Sequence, residues 1–478
     1  MSTGSGFLQV KGTKIVDENG KQIVLKGAAV GGGLNMENFI TGFPGQEDEH
    51  KQILLKVLGK EKFDFFFDKF YEYFWADDDA KFFKSLNFNC LRIPVNYRHF
   101  YPDNDLENFN PDGFKWLDRY VDICSKHGIY SVIDLHAAPG GQNQDWHSDN
   151  GTHHALLWSF PYFQDKTIEL WEKIAAHYKD NTWVAGYNPL NEPADSKGYR
   201  LINFYRKVVD AVEKIDPNHI FFLDGNKYAM DFTEFPDEPI KKSVYAIHDY
   251  SYYGFPGFDV FTGSEEQKGK LERQYNRKIE YMKKIQAPVW NGEFGPVYSS
   301  EVRGDTDIVA TNLARYASLK EQLSIYSRGD PSGDGTGIGW SIWVYKDIGY
   351  QGLTFVKPES KYYSHLKDWL AKKQRLGIDK WGRIAPKEVE SIYDAVKDHF
   401  HKEIPEKFHK AVYPNNLAID GYIDRVLREC LLSQFLTFEF AEYFRDLSFE
   451  ELDELASSFK FENLQTRDEL NAILSASV

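Results

Sequence analysis

Eight short apolar runs punctuate the first three-quarters of this chain, and amphipathic stretches separate them. The runs lie near residues 24–30, 90–95, 130–136, 184–191, 219–224, 244–250, 288–293 and 338–343. Runs without strict alternation are what strands buried on both faces look like. Between them, residues 114–124, 167–175 and 201–209 repeat apolar side chains at i, i+3 and i+4, which predicts helices with one buried face. A fourth helical pattern, 207–215, ends before Asp216-Pro217, a natural stop. Strands alternating with helices predict a parallel sheet with crossover helices. Eight repeats suit an α/β fold of the closed (β/α)8 TIM-barrel type better than an open doubly wound sheet. Gly31-Gly32-Gly33 follows the first run but lacks the Gly-x-Gly-x-x-Gly spacing of a dinucleotide site.

Three segments depart from a minimal barrel. Residues 7–25 hold Asp17-Glu-Asn-Gly20 between two apolar stretches, which predicts an N-terminal β-hairpin closing the barrel bottom. Residues 38–76 form a helical insertion after strand 1, with the run Phe63-Asp-Phe-Phe-Phe-Asp-Lys-Phe-Tyr71 expected to pack on the barrel flank. The expected division is a catalytic barrel over 1–377 and a helical extension packed on it over 378–478. That extension has helical periodicity at 422–436 and 449–459, a capping-box pattern in Ser448-Phe-Glu-Glu451, and no concentrated catalytic motif.

Two of the apolar runs end in glutamate: Asn191-Glu192-Pro193 after the fourth, and Trp290-Asn-Gly-Glu293 in the seventh. A carboxylate at the end of a buried strand is costly unless a site uses its charge. Two such groups facing one pocket are what glycosidic bond cleavage requires; about 5–5.5 Å between them gives retention, and a wider gap gives inversion. The net charge of −15 argues against nucleic-acid and anionic-membrane partners, both of which need basic patches. Aromatic residues make up 16% of the chain, enough for some rings to stack on sugar faces after the core is filled. Cys90, Cys124 and Cys430 offer no disulfide framework, and the first two read as buried thiols. No cluster around His136 or His248 has ligand spacing, so neither a metal nor a cofactor is expected. His153-His154 reads as a solvated loop pair. With no leader-like start and no run of 18 apolar residues, the expectation is a cytoplasmic monomer or homodimer with a carbohydrate as its partner.

The two glutamate strings together resemble glycoside hydrolase family 5, in the larger retaining (β/α)8 clan, across roughly residues 7–377. Four further strings match the family in order: Leu91-Arg92-Ile93-Pro94, Asp134-Leu135-His136-Ala-Ala-Pro139-Gly140, His248-Asp-Tyr250, and Gly339-Trp-Ser-Ile-Trp343-Val-Tyr-Lys346. The resemblance implies Glu192 as acid/base and Glu293 as nucleophile. It further implies Arg92 and Tyr250 holding Glu293 ionised, Asn191 donating to a sugar 2-hydroxyl, His136 and His248 orienting the site, and Trp343 flooring the pocket. A nearby carboxylate and a partly dry pocket predict a raised pKa for Glu192. The first-strand segment through Glu37 is similar to the exo-β-1,3-glucanase branch, where that glutamate binds the terminal sugar. The loop 141–151 is similar too, and implies Trp146, Asp149 and Asn150 as grips on terminal hydroxyls. The function so implied is a retaining exo-acting β-glycosidase cleaving β-glucosidic or β-xylosidic bonds. Glucose and xylose differ only by a hydroxymethyl group that one bulky side chain could exclude. An endo-β-glucanase or mannanase with an open cleft, and a non-catalytic carbohydrate-binding barrel, are the alternatives.

Overall fold

The structure is a computed structural model that describes residues 6–102, 105–301, 305–379, 381–382, 384–414 and 418–478. A hairpin of β1 (Gln9–Lys11) and β2 (Lys14–Val16) leads into the barrel. The barrel strands are β3 (Lys26–Ala29), β4 (Cys90–Asn96), β5 (Tyr130–Ala137), β6 (Val184–Asn188), β7 (Ile220–Asp224), β8 (Ser243–His248), β9 (Val289–Glu293) and β10 (Gly339–Ile342). They pair in parallel in chain order, and β10 closes on β3. All eight predicted runs fall on these strands. Every residue of β4 through β10 is buried, because side chains fill the interior and helices cover the outside.

The hairpin turns earlier than the Asn-Gly pattern predicts. Lys11 pairs with Lys14, so Gly12-Thr13 is the two-residue turn, with Gly12 at φ +59°. The Asp17–Gly20 turn exists, but it supports only a bridge from Val16 to Gln22. Asp17 Oδ1 accepts from the Asn19 and Lys21 amides there, each at 2.9 Å. Leu8 and Ile15 pack with Cys90, Ile220, Val244 and Trp290, which plugs the barrel bottom as expected.

The insertion helix Lys60–Phe74 buries Phe66, Phe67, Phe70, Tyr71 and Phe74. The C-terminal extension covers one side of it. Phe66 meets Phe444, while Phe70 and Phe74 meet Phe459, with ring centroids 5.1–5.7 Å apart. The buried Lys346 ammonium ties three parts together. It pairs with Asp79 at 2.8 Å and donates to the carbonyls of Phe74 at 2.8 Å and Phe459 at 2.7 Å. Ser448 and Glu451 form the predicted capping box on the helix Phe449–Ser457. The extension is not wholly helical. After β11 (Lys346–Asp347) and β12 (Thr354–Val356), its own β13 (Leu464–Thr466) pairs antiparallel with β12. Within residues 422–436, the stretch Arg425–Leu432 winds as a π-helix. Among the described residues, no helix is long and apolar enough to cross a membrane.

Candidate active site

The carboxyl ends of the barrel strands converge on one polar cluster. Glu293 is the last residue of β9, and Glu192 lies just beyond β6 with its backbone at φ +47°. A left-handed conformation costs a side-chain-bearing residue about 1–3 kcal/mol and persists only where its surroundings enforce it. Here Asp224, the last residue of β7, does so: its Oδ2 accepts the Glu192 amide at 2.9 Å. Asn188 Nδ2 donates to Asp224 Oδ1 at 3.0 Å and fixes that carboxylate in turn.

Arg92, in the middle of β4, lies fully buried beneath both glutamates. Its Nη1 donates to Glu293 Oε1, and its Nη2 donates to Asn191 Oδ1 at 2.7 Å and Asn188 Oδ1 at 3.1 Å. Asp134 completes the set at 3.1 Å. Tyr250 Oη donates to Glu293 Oε2 at 3.0 Å, so both oxygens of Glu293 have donors. Arg92 and Tyr250 thus both contact the Glu293 carboxylate. His248 Nδ1 lies 2.6 Å from Glu192 Oε1 and 3.6 Å from Glu293 Oε2. An oxygen of each glutamate and a nitrogen of His248 all fall within 4.8 Å of one another. The trio could in principle ligate an ion, but the guanidinium on Glu293 repels a cation, and the Tyr250 hydroxyl occupies its other oxygen. Oxygens this close suit direct attack by one carboxylate on a sugar better than inverting chemistry, whose carboxyl groups stand about 6.5–9.5 Å apart to hold a water between them.

A Cellulase (glycosyl hydrolase family 5) family model matches residues 59–347. The chain belongs to glycosyl hydrolase family 5. A beta-xylosidase of Phanerodontia chrysosporium is 50% identical over 475 residues, covering 98% of each chain, so the match runs through the C-terminal extension. The probable glucan 1,3-beta-glucosidase A of Aspergillus fumigatus is 27% identical over 218 residues, covering 44% of this chain and 51% of that protein. A crystal structure of endogalactoceramidase aligns with a TM-score of 0.51 at 16% identity, covering 76% of this chain and 78% of that one; this likeness speaks to the fold alone. The protein is a glycosidase acting on β-glycosides.

The family 5 enzyme departs from the sequence expectation at Glu192. Burial works to raise its pKa, but His248 and His147 outweigh burial and hold it well below the ordinary carboxylate range. The expected rise counted a neighbouring carboxylate and missed two imidazoles; His147 Nε2 lies 3.2 Å from Glu192 Oε2. The imidazoles are raised in return. For His248, burial opposes protonation, and the charges of Glu293, Glu192 and Asp224 overcome it. For His147, burial is overcome chiefly by Glu192. The charges in this cluster thus favour ionised Glu192 beside protonated imidazole, one hydrogen bond away.

The cavity above these groups measures about 540 Å³, inside the usual range of about 300–1,000 Å³ for small-molecule sites. Its floor is Trp343 stacked on His136, with centroids 5.3 Å apart and planes 10° from parallel. Gly31 makes room for that indole, since a Cβ there would lie 2.4 Å from it. His136 Nδ1 is 2.8 Å from Asp134 Oδ2, and its Nε2 is 3.3 Å from both Glu37 Oε1 and Asn191 Nδ2. Burial opposes protonation of His136, yet Asp134 and Glu37 push its pKa up to about 10. Burial also raises Glu37. Glu37, Asn191, Trp146 and Trp343 all line the cavity.

Asp149 and Asn150 do not come to the cavity. Asp149, at φ +55°, turns back so that its Oδ2 accepts from Asn96 at 2.9 Å and Arg98 at 2.5 Å. Asn150 donates to the carbonyls of Asn143 at 2.6 Å and His154 at 2.9 Å, stitching its own loop together. Asp145 and His147 of the same loop line the cavity instead. His153 is buried against the Tyr422 ring rather than solvated, while His154 is exposed. Trp381, Tyr228, Arg425 and Glu429 also line the cavity and went unpredicted. Trp381 packs on Phe255 and Tyr250, with centroids 4.5 and 5.5 Å apart. Adjacency to Trp146 could have flagged His147, but the helical pattern around Arg425 and Glu429 carries no comparable mark.

Proposed function

We propose that this enzyme is a retaining, exo-acting β-glycosidase of β-xylosidase type, with Glu293 as nucleophile and Glu192 as acid/base. The observation that carries the reading is the pair of glutamate oxygens within 4.8 Å of each other at the Trp343–His136 floor. Glu293 attacks the anomeric carbon while the bond from that carbon to the leaving oxygen breaks. Esterification removes the Glu293 charge, the strongest support for the proton on His248. That proton passes through Glu192 to the leaving oxygen as the glycosyl ester forms. In the second step Glu192 takes a proton from water and passes it back to His248, the water oxygen attacks the anomeric carbon, and Glu293 is released with net retention. Arg92 and Tyr250 stabilise Glu293 as leaving group. Asn191, held by Arg92, is placed to meet the 2-hydroxyl.

Glu37 and Trp146 line the cavity beside the floor, where they can contact a terminal sugar, which supports release of sugar from a chain end. The beta-xylosidase relative, similar from end to end, supports xylose as that sugar. The test is a panel of 4-nitrophenyl β-xyloside, β-glucoside, β-mannoside and β-galactoside, with product anomers followed by NMR and Glu293→Gln beside the parent. The expected result is preference for the xyloside, initial release of the β-anomer, and a fall in kcat of about 10⁴-fold or more in the variant. Near-normal turnover by Glu293→Gln, or initial release of the α-anomer, would overturn the mechanism.

A further inference from the structure

The C-terminal extension reaches into the catalytic cavity, where Asp424, Arg425 and Glu429 form part of the lining. The first turns of the π-helix Arg425–Leu432 bring them there; such local widening of a helix often marks a functional site. The Arg425 guanidinium meets two barrel loops. Its Nε is 2.7 Å from Asp145 Oδ1 in the loop after β5, and its Nη1 donates to Tyr228 Oη at 3.1 Å in the loop after β7. Tyr228 is delivered by three consecutive left-handed residues, Lys227, Tyr228 and Ala229, at φ +51°, +63° and +57°. Side-chain-bearing residues rarely adopt that conformation, and such strain clusters where a site requires it.

The extension is braced from behind. Arg428 pairs with Glu390 at 2.8 Å, donates to the Gly377 carbonyl at 3.2 Å and lies 3.8 Å over the Tyr393 ring. This fixes the helix face that carries Arg425 and Glu429. Arg425 lines the cavity, so the edge of its guanidinium faces the space a ligand would fill. Beside it, Glu429 offers carboxyl oxygens on the same wall. A guanidinium edge next to a carboxyl group is complementary to the hydroxyls of a neutral sugar, each of which both accepts and donates.

We propose that Arg425 and Glu429 read sugar hydroxyls, so that the C-terminal extension is part of the substrate site and sets how much of a saccharide the cavity admits. This rests on the glycosidase reading above and extends it to a segment outside the residues matched by the family model. The wall and the catalytic pair are linked through one loop: Asp145 holds Arg425, and His147, two residues on, contacts Glu192.

The test compares Arg425→Ala, Arg425→Lys and Glu429→Gln with the parent in the full chain, on 4-nitrophenyl β-xyloside and on xylotetraose. Loss of a charge-assisted hydrogen bond to substrate is expected to raise KM about ten- to a hundredfold in Arg425→Ala, with kcat falling much less. Lysine, which keeps the cation and its pairing with Asp145, should restore part of the loss; a rise in KM without a matching fall in kcat is what a merely structural role would not predict. The initial products from xylotetraose should shift from xylose and xylotriose alone toward a mixture that also contains xylobiose, formed by cleavage one unit further in. If Arg425→Ala lowers the melting temperature, Glu429→Gln, which preserves shape, carries the same comparison. Unchanged KM and unchanged first product in Arg425→Ala and Glu429→Gln would overturn the proposal. That outcome, with Glu293→Gln inactive, would sink the wall alone; normal turnover by Glu293→Gln would sink the two-glutamate mechanism instead.

Discussion

Arg92 and Arg425 are both cations at one cavity, and they reached it by different routes. Arg92 sits on a barrel strand with no solvent exposure, and it touches Glu293, Asn188, Asn191 and Asp134, all on or just beyond strands of the same closed sheet. Arg425 sits on a helix of the extension, its side chain 19% exposed, with Asp145 and Tyr228 as partners on barrel loops. Sheet closure fixes the relative position of everything around Arg92, because each strand is hydrogen-bonded on both sides. The place of Arg425 depends instead on an interface of aromatic rings: Phe66, Phe70 and Phe74 against Phe444 and Phe459. The floor is thus specified by topology and the wall by docking. The two should fail differently when disturbed.

The largest effect is expected at the floor. Arg92→Met leaves the Asp134 carboxylate buried without its guanidinium, and breaking a buried pair in this way costs about 3–5 kcal/mol. Activity should fall by at least about 10³-fold as well, because Glu293 loses the Arg92 donor that aims it. Chemical denaturation and steady-state kinetics on the same preparation check both. If Arg92→Met lost activity but kept full stability, the floor would be a catalytic device resting on an independently stable barrel, and the contrast drawn here would weaken.

Floor and wall also differ in how far the chain announces them. Parallel strands buried on both faces read as apolar runs, so the eight strands and the glutamates closing two of them were visible locally. Trp343 and Glu37 were picked out only through the family resemblance of the strings that carry them. The loop 141–151 was identified as part of the site, but not which of its side chains turn inward. That depends on the left-handed turn at Asp149, which aims Asp149 at Arg98 and leaves Asp145 and His147 facing the cavity. Arg425 and Glu429 sit in a segment whose periodicity describes an ordinary amphipathic helix. Their role arises from contacts with residues some 200 to 280 positions earlier, and no local pattern encodes a contact across that distance. The same blindness explains the error at Glu192, where His248 and His147 reach the carboxylate from the end of β8 and from a different loop.

An intermediate effect is expected from loosening the wall without touching the cavity. Phe70→Ala removes a fully packed ring between the insertion helix and Phe459, and a truncation of this kind costs about 3–5 kcal/mol in a core that cannot collapse around it. Because the barrel sheet does not use Phe70, hydrogen exchange should quicken in the extension and insertion helices while β4 to β9 stay protected. KM should rise with the loosening, and kcat should change little. Uniform loss of protection across barrel and extension would show that docking and barrel closure are one cooperative event.

The smallest effect separates the two regions by pH. His136 in the floor has its folded-state pKa raised from 6.5 to about 10, so the stability it contributes is complete below 6.5 and is lost as pH climbs from there through about 10. Glu429 in the wall is an acid whose pKa burial raises from 4.5 to about 7. It remains protonated in the folded protein while the unfolded chain ionises, so it reduces stability as pH rises from 4.5 to about 7 and adds no further loss above that. Other buried groups shape the total curve, so the comparison uses differences between each variant and the parent. In melting temperatures across pH 4.5–10, Glu429→Gln should gain on the parent between 4.5 and 7 and run parallel to it afterwards. His136→Asn should diverge from the parent only between 6.5 and 10, because asparagine removes the proton whose loss the parent suffers there. Two separate windows would mean that floor and wall respond to separate charges. A Glu429→Gln curve parallel to the parent below pH 7 would mean that this carboxyl group is solvated, and the wall would then lack the dry polar surface that hydroxyl recognition needs.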